Sequence, residues 1–513
     1  MIKTKRILAA LLASLMLVPA MAACNKDTPD TPDIPIKDTS SAADTSPADT
    51  SAAGEDTTTA AETEPRETER HEIKDDLPKD LNFGGKTFTA YVGRVAANDQ
   101  FVLGSDEFEG DVVNDAVYER NINVQEQLNF TLKADGYDMS WNTIGPAVST
   151  LIMAGDSTYD IFMGQQYGMT SLVGQKMFIN AYELDHINFE QPWWMNTYMD
   201  ELSLGNQYRF LLISDFNTQA ISNIRANLFN KTLYEKIFGN PDELYQLTLD
   251  GKFTLDYMSQ LMAGAYVDLN GDGVTDVDDQ LGLLTDGLYA SVDSFVYAAD
   301  IPFTSRDEEG FIQLTMINDR AIALAEKLCA FFQQQPVSTR SSGKQNDIFA
   351  KGTVLFLGNG MLVNASELRD MEDDFGILPH PKMDETQKEY RSLVHDQALL
   401  TGVSKASKNL DMVGAVLEAL SAESYRRVTP AYYETALKMK YSRDSISSQM
   451  IDLIKNTMTT EFIFAYNSSM NNLGQIYRTM ITNNLPNYVS NVEARIGAAE
   501  TNLADLIKVF KGE

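Results

Sequence analysis

From about Leu77 onward, short apolar runs alternate with longer amphipathic stretches, a pattern that predicts α/β architecture. The runs that read as strands are Thr87–Val92, Phe130–Ala134, Asp160–Met163, Tyr208–Ile213, Leu281–Leu284, Thr353–Leu357, Gly376–Leu378 and Ala398–Val403. Between them, Asp111–Leu128 places Val112, Val113, Val117, Ile122 and Leu128 at helical spacing, and Ile317–Phe332 does the same with Ile322, Leu324, Leu328 and Phe332. After Val403 the pattern turns almost wholly helical, through Leu410–Leu420, Ser424–Met439, Ser445–Thr460 and Ser490–Phe510. Alternating units followed by a helical tail predict two lobes that share the chain through crossing segments.

The first residues break this pattern. Lys3, Lys5 and Arg6 precede an apolar run from Ile7 to Val18, which reads as an export signal. The run is about 12 residues, short of the roughly 20 needed to span a bilayer as a helix. Met21-Ala22-Ala23-Cys24 resembles the lipobox of bacterial lipoproteins. That resemblance implies a signal peptide over 1–23 and acylation of Cys24, and two acyl chains suffice for a stable anchor. From Asp27 to Glu72 the chain is mostly Thr, Ser, Pro, Ala, Asp and Glu, with no Phe, Tyr or Trp. Such a composition cannot bury enough apolar surface to offset chain entropy, so residues 24–76 are expected to form a disordered tether.

Composition narrows the function. The 41 Lys and Arg against 73 Asp and Glu leave a net charge of −32 over 513 residues, which repels nucleic-acid phosphates and anionic headgroups alike. No nucleic-acid partner is expected, and contact with a membrane only through the lipid anchor. The two cysteines, Cys24 and Cys329, cannot build a disulfide framework or a multi-cysteine metal site. Cys329 falls in an amphipathic stretch and reads as a small buried hydrophobe. His71, His186, His380 and His395 show no metal-type spacing, and no Gly-x-Ser-x-Gly elbow occurs. Gly84-Gly85-Lys86-Thr87 lacks the earlier glycine and the preceding strand of a phosphate loop, and reads as a turn. These features point away from an enzyme.

One motif is specific. Residues 268–279 fit a twelve-position calcium loop, with side-chain oxygens from Asp268, Asn270, Asp272, Asp276 and Asp279, the Val274 carbonyl, and Gly273 at the sharp turn. Calcium takes six to eight oxygens, and so many close carboxylates otherwise repel one another. The following Leu281–Leu284 reads as a strand, so the loop is expected to hold a structural ion without the paired helices of a sensor.

Several local signatures occur in order along the body. They are Tyr159-Asp160-Ile161-Phe162-Met163, Gln191-Pro192-Trp193-Trp194, Leu228-Phe229-Asn230-Lys231 and Gly251-Lys252-Phe253-Thr254-Leu255. They continue with the acidic loop, Phe356-Leu357-Gly358-Asn359-Gly360-Met361, Phe375-Gly376-Ile377-Leu378-Pro379-His380-Pro381-Lys382 and Pro430-Ala431-Tyr432-Tyr433. In these pieces the chain resembles the lipid-anchored solute-binding proteins of bacterial ABC importers, of the extracellular type to which maltose-binding protein belongs. The resemblance implies an α/β, two-lobed, type II periplasmic-binding-protein-like fold with hinge strands and a helical C-terminal part. It places lobe one at 77–225 plus 395–440 and lobe two at 226–394 plus 441–513, with hinge crossings near 223–230 and 393–403. It also implies a monomer on the extracellular face of the cytoplasmic membrane, delivering a carbohydrate to an ABC permease.

Sugar recognition relies on aromatic faces against the apolar face of a pyranose and on planar polar groups for its hydroxyls. Gln165, Gln166 and Tyr167 follow the strand Asp160–Met163, where ligands bind in open α/β sheets. Trp193 and Trp194 are candidates for stacking, and Asp215 and Asp396 for accepting from hydroxyls. Arg94, Tyr289 and Asn359 fall at loop positions that the resemblance makes analogous to cleft contacts. The other readings are a peptide-binding importer component and a secreted polysaccharide-active enzyme.

Overall fold

The computed structural model describes residues 70–511 except 95–99, 105–106, 286, 288–289, 340–343 and 434–444. The expected signal peptide, Cys24, the tether before residue 70 and Tyr289 lie outside the described residues. The strands in chain order are β1 (Lys86–Arg94), β2 (Phe130–Asp138), β3 (Ile161–Gln165), β4 (Arg225–Asn230), β5 (Leu281–Leu284), β6 (Thr304–Arg306) and β7 (Ile312–Leu314). They continue with β8 (Val337–Ser338), β9 (Val354–Met361), β10 (Phe375–Leu378), β11 (Ser392–Leu393), β12 (Leu399–Val403) and β13 (Met458–Thr459).

Two sheets organise the body. The first runs β12-β3-β1-β2, with β1 parallel to both β2 and β3 and β12 antiparallel on β3. The second runs β10-β4-β9-β5-β8, with β5 parallel to β8 and β9 while β4 is antiparallel to β9 and β10. Every residue of β3 and of β4 is buried, which fits central strands covered on both faces. We call the part built on the first sheet lobe one and the part on the second lobe two.

Local chemistry sets the elements. The helix Val112–Leu128 starts where the Asp111 carboxylate accepts from the amides of Val113 and Asn114, both at 3.0 Å, and ends at Asn129 in the left-handed region with φ 48°. Val112, placed on the apolar stripe by spacing, is exposed, while Val113, Val117, Val124 and Leu128 are buried. Tyr208–Ile213 is not a strand; its contact with the sheet is the single bridge Leu212–Thr401 beside β12. The expected helix Ser445–Thr460 stops at Asn456, because the β-branched Thr457, Thr459 and Thr460 favour an extended backbone, and β13 follows. Ser424–Val428, expected as α-helix, forms a π-helical turn.

Three extended segments cross between the lobes side by side. Ile224 bridges Val394, the His395 amide donates to the Asn223 carbonyl at 2.9 Å, and β11 pairs with β13 in parallel. The Val394 amide also donates to the Thr459 carbonyl at 2.9 Å. The C-terminal part then touches both lobes. Thr170 Oγ1 donates to the Ala465 carbonyl and Tyr466 Oη to that of Leu202, on lobe one. Tyr477 Oη donates to the Ala321 carbonyl, on lobe two, and Phe510 packs on Phe210 with ring centroids 4.5 Å apart, back at lobe one.

The first described residues lie on lobe one. Ile73 accepts at its carbonyl from Arg426 Nη1 at 3.1 Å, and Arg70 lies over the Tyr425 ring. Asp76 accepts from Asn188 Nδ2 at 2.9 Å. Among the described residues no helix is long and apolar enough to cross a membrane.

Candidate functional site

Strand direction brings the candidate residues to one edge. Because β1, β2 and β3 are parallel, Arg94, Asp138 and Gln165 end the strands on the same side. The antiparallel β12 sets Leu399 opposite Gln165, so the turn before it returns to that edge, where the Gln166 amide donates to the Asp396 carbonyl at 3.0 Å. In lobe two, Arg225 lies opposite Met361 at the carboxyl end of β9, and β5 ends on that side too. The crossings at 223–225 and 394–396 join the two edges, the place where open α/β sheets take ligands.

Gln165 is buried and donates from Nε2 to the Met139 carbonyl at 3.3 Å. Gln166 is buried deeper. Its Oε1 accepts from Tyr198 Oη and from Thr460 Oγ1, which ties lobe one to the third crossing, while its Nε2 has no protein partner. Tyr167 is half-buried, its ring set edge-to-face against Trp141 with centroids 5.1 Å apart. Trp141, which sequence reasoning passed over, is 52% exposed. A tryptophan just past the end of a strand was the available signal.

Asp396 is 34% exposed, and His395 Nδ1 lies 2.9 Å from its Oδ1. Burial opposes its charge, but His395, Arg225 and Arg478 outweigh burial and hold the carboxyl below the ordinary range. Three further charged groups sit behind it, all missed by sequence reasoning. Arg478 Nε donates to both oxygens of Asp293, at 2.9 and 3.1 Å. Burial pushes Asp293 up to about 6 against that pairing. Burial pulls the Arg225 guanidinium down to about 10, with Asp396 and Asp293 acting the other way. Two carboxylates and two guanidiniums thus balance. The signal for Arg225 was a charge inside an otherwise uncharged buried strand.

Other candidates lie elsewhere. Trp193 and Trp194 are 0% and 4% exposed, with both indole N–H groups donating to the buried Glu418 carboxylate at 3.1 and 3.0 Å. Both were candidates for stacking on a ligand; one carboxylate satisfies both inside lobe one, and neither ring is open to a ligand in this structure. Asp215 is also buried and accepts from Thr429 Oγ1 within lobe one, so its carboxylate is not turned to the shared edge as expected. Arg94 and Asn359, expected in loops, lie in strands, Arg94 at the end of β1 and Asn359 within β9.

The acidic loop lies between the helix Leu255–Ala265 and β5, closed by the mutual hydrogen bonds of Val267 and Gln280. Its carboxylates face the loop's own amides: Asp268 accepts from Gly271 and Gly273, Asp272 from Val274, Asp276 from Asp278, and buried Asp279 from Leu269 and Asp276. The all-oxygen donor set suits a hard cation. Among the described residues no three His, Cys, Asp or Glu side chains come together as a ready metal set.

No protein-family model matches the sequence, and no curated protein matches it. Likeness is found among solved structures. A cyclo/maltodextrin-binding protein complexed with maltotetraose aligns with TM-score 0.50 at 11% identity, over 83% of this chain and 97% of that one. CpMnBP1 with mannotriose bound aligns with TM-score 0.51 at 13% identity, over 82% of this chain and 100% of that one. The architecture is that of the two-lobed type II periplasmic-binding fold.

Proposed function

We propose that this protein is the solute-binding component of an ABC-type importer, closing its lobes over an oligosaccharide and presenting it to a membrane permease without chemistry on it. The observation that carries this reading is the shared edge, to which the strand ends bring a half-buried aromatic ring at Tyr167 and a half-open carboxylate at Asp396, beside a charge-balanced floor. Rings and planar polar groups with no surplus charge suit an uncharged polyhydroxylated ligand. The two solved proteins of like fold named above each hold an oligosaccharide. The closed pair Asp293–Arg478 favours a second reading, a peptide ligand, but Asp293 is 2% exposed and spent on its partner.

In this proposal residues 1–23 are removed, acylated Cys24 holds the monomer at the outer face of the cytoplasmic membrane, and residues 24–69 space the body from it, the last part of the expected tether, 70–76, being packed on lobe one. Asp268, Asn270, Asp272, Asp276, Asp279 and the Val274 carbonyl hold a structural calcium ion. Calorimetric titration with maltotetraose, mannotriose, cellotriose, xylotriose and a tetrapeptide, with and without chelator, tests both claims. One-to-one binding of a sugar is expected, and chelation should lower the melting temperature without changing stoichiometry. Heat from the peptide alone would overturn the carbohydrate reading. A melting temperature indifferent to chelator would remove the ion.

A further inference from the structure

We infer that Trp141, with Tyr167 standing edge-on to it, is the stacking corner of the ligand site, its indole the platform for the apolar face of a pyranose ring. This rests on the carbohydrate reading above.

The position comes from topology. Trp141 follows the end of β2 at Asp138, on the edge where β1 and β3 also end and to which Asp396 returns. A single exposed apolar side chain is ordinary. The backbone beneath this one is not loose, however. The Ser140 amide donates to Thr143 Oγ1 at 2.9 Å and the Thr143 amide to the Ser140 carbonyl at 3.0 Å, closing a tight turn around Trp141. Gln165 Nε2 holds the Met139 carbonyl on one side.

On the other side Ile144, fully buried, fills a socket made by absent side chains. A Cβ added at Gly93 would lie 2.5 Å from Ile144 Cδ1, one at Gly164 would lie 2.6 Å from Cγ1, and one at Gly168 would lie 2.2 Å from Cγ2. These glycines come from β1, from β3 and from the helix Gln166–Val173, so one side chain pins the turn to three elements. The Cβ at Gly168 would also meet the Trp141 carbonyl oxygen at 3.0 Å, so that glycine admits the backbone of the tryptophan itself.

The turn that carries the half-open indole is therefore fixed before any ligand arrives, which cuts the ordering cost of binding. Its plane stands at 88° to the Tyr167 ring. Two aromatic walls at right angles fit one face of a sugar ring and its rim.

Intrinsic fluorescence tests this cleanly, because of 3 tryptophans the other two, Trp193 and Trp194, are buried. Maltotetraose, mannotriose, cellotriose and xylotriose are titrated into the full chain, Trp141→Ala and Trp141→Phe. A bound sugar should change the wild-type emission. Trp141→Ala should bind it roughly 30-fold or more weakly, Trp141→Phe should recover part of the loss, and the unliganded melting temperature should stay unchanged. Equal affinity in wild type and Trp141→Ala, or saturation without change in wild-type emission, would overturn the corner alone. Binding of none of the sugars by wild type would overturn the carbohydrate reading and the corner with it.

Discussion

Glu418 shows how a buried charge is held and what it costs. It interrupts an otherwise apolar stretch of the helix Leu410–Glu423, is fully buried, and accepts from both indoles and from the Asn188 amide. Burial pushes its carboxyl up to about 7, and the hydrogen bonds only partly offset this. The folded state therefore holds the proton more tightly than the unfolded chain. Its contribution to stability is complete below the ordinary glutamate range and is lost as pH rises through about 7. Glu418→Gln removes that titration and sets an amide donor against one indole, at a cost of about 1–3 kcal/mol. Melting scans should show a wider gap between wild type and variant at pH 5 than at pH 8; a constant gap would rule out Glu418 as the titrating group. The tryptophan pair was plain in the sequence, but its partner lies over two hundred residues away in the chain. Gln165 and Tyr167 were placed by a strand end and Asp396 by the return crossing, whereas Asp293 and Arg478 come together only through tertiary packing.

The glycine socket belongs to the scale of elements. Gly93, Gly164 and Gly168 are not in the left-handed region, so no turn signal marks them; their use is the room they leave for Ile144. Gly168→Ala should therefore destabilise the fold by about 1–3 kcal/mol through overpacking, read as a lower urea midpoint with an unchanged slope. An unshifted midpoint would show that Ile144 can move aside freely. The strands of both sheets were legible where buried runs are bounded by turns, as in β3, β5 and β12. β13 was not, because Met450, Ile451 and Ile454 carry a helical stripe right up to it and only the threonines announce the change.

Across the whole molecule, the C-terminal part binds the lobes to each other. It reaches lobe one through Ala465 and Tyr466, lobe two through Tyr477 and Arg478, and lobe one again through Phe510. Neither lobe can unfold without stripping contacts from the other. Scanning calorimetry should give one transition, with calorimetric and van't Hoff enthalpies equal; two resolved peaks would show that the lobes melt apart. The two-lobed plan could be read from alternating units, but this lacing could not, since helical periodicity says which face is apolar and not which body it meets. The attachment of residues 70–76 has a mechanical meaning as well. Arg70, Ile73 and Asp76 are all fastened to lobe one. Under the anchoring proposed above, a pull transmitted along the preceding chain would enter that half alone and leave the crossings between the lobes unloaded.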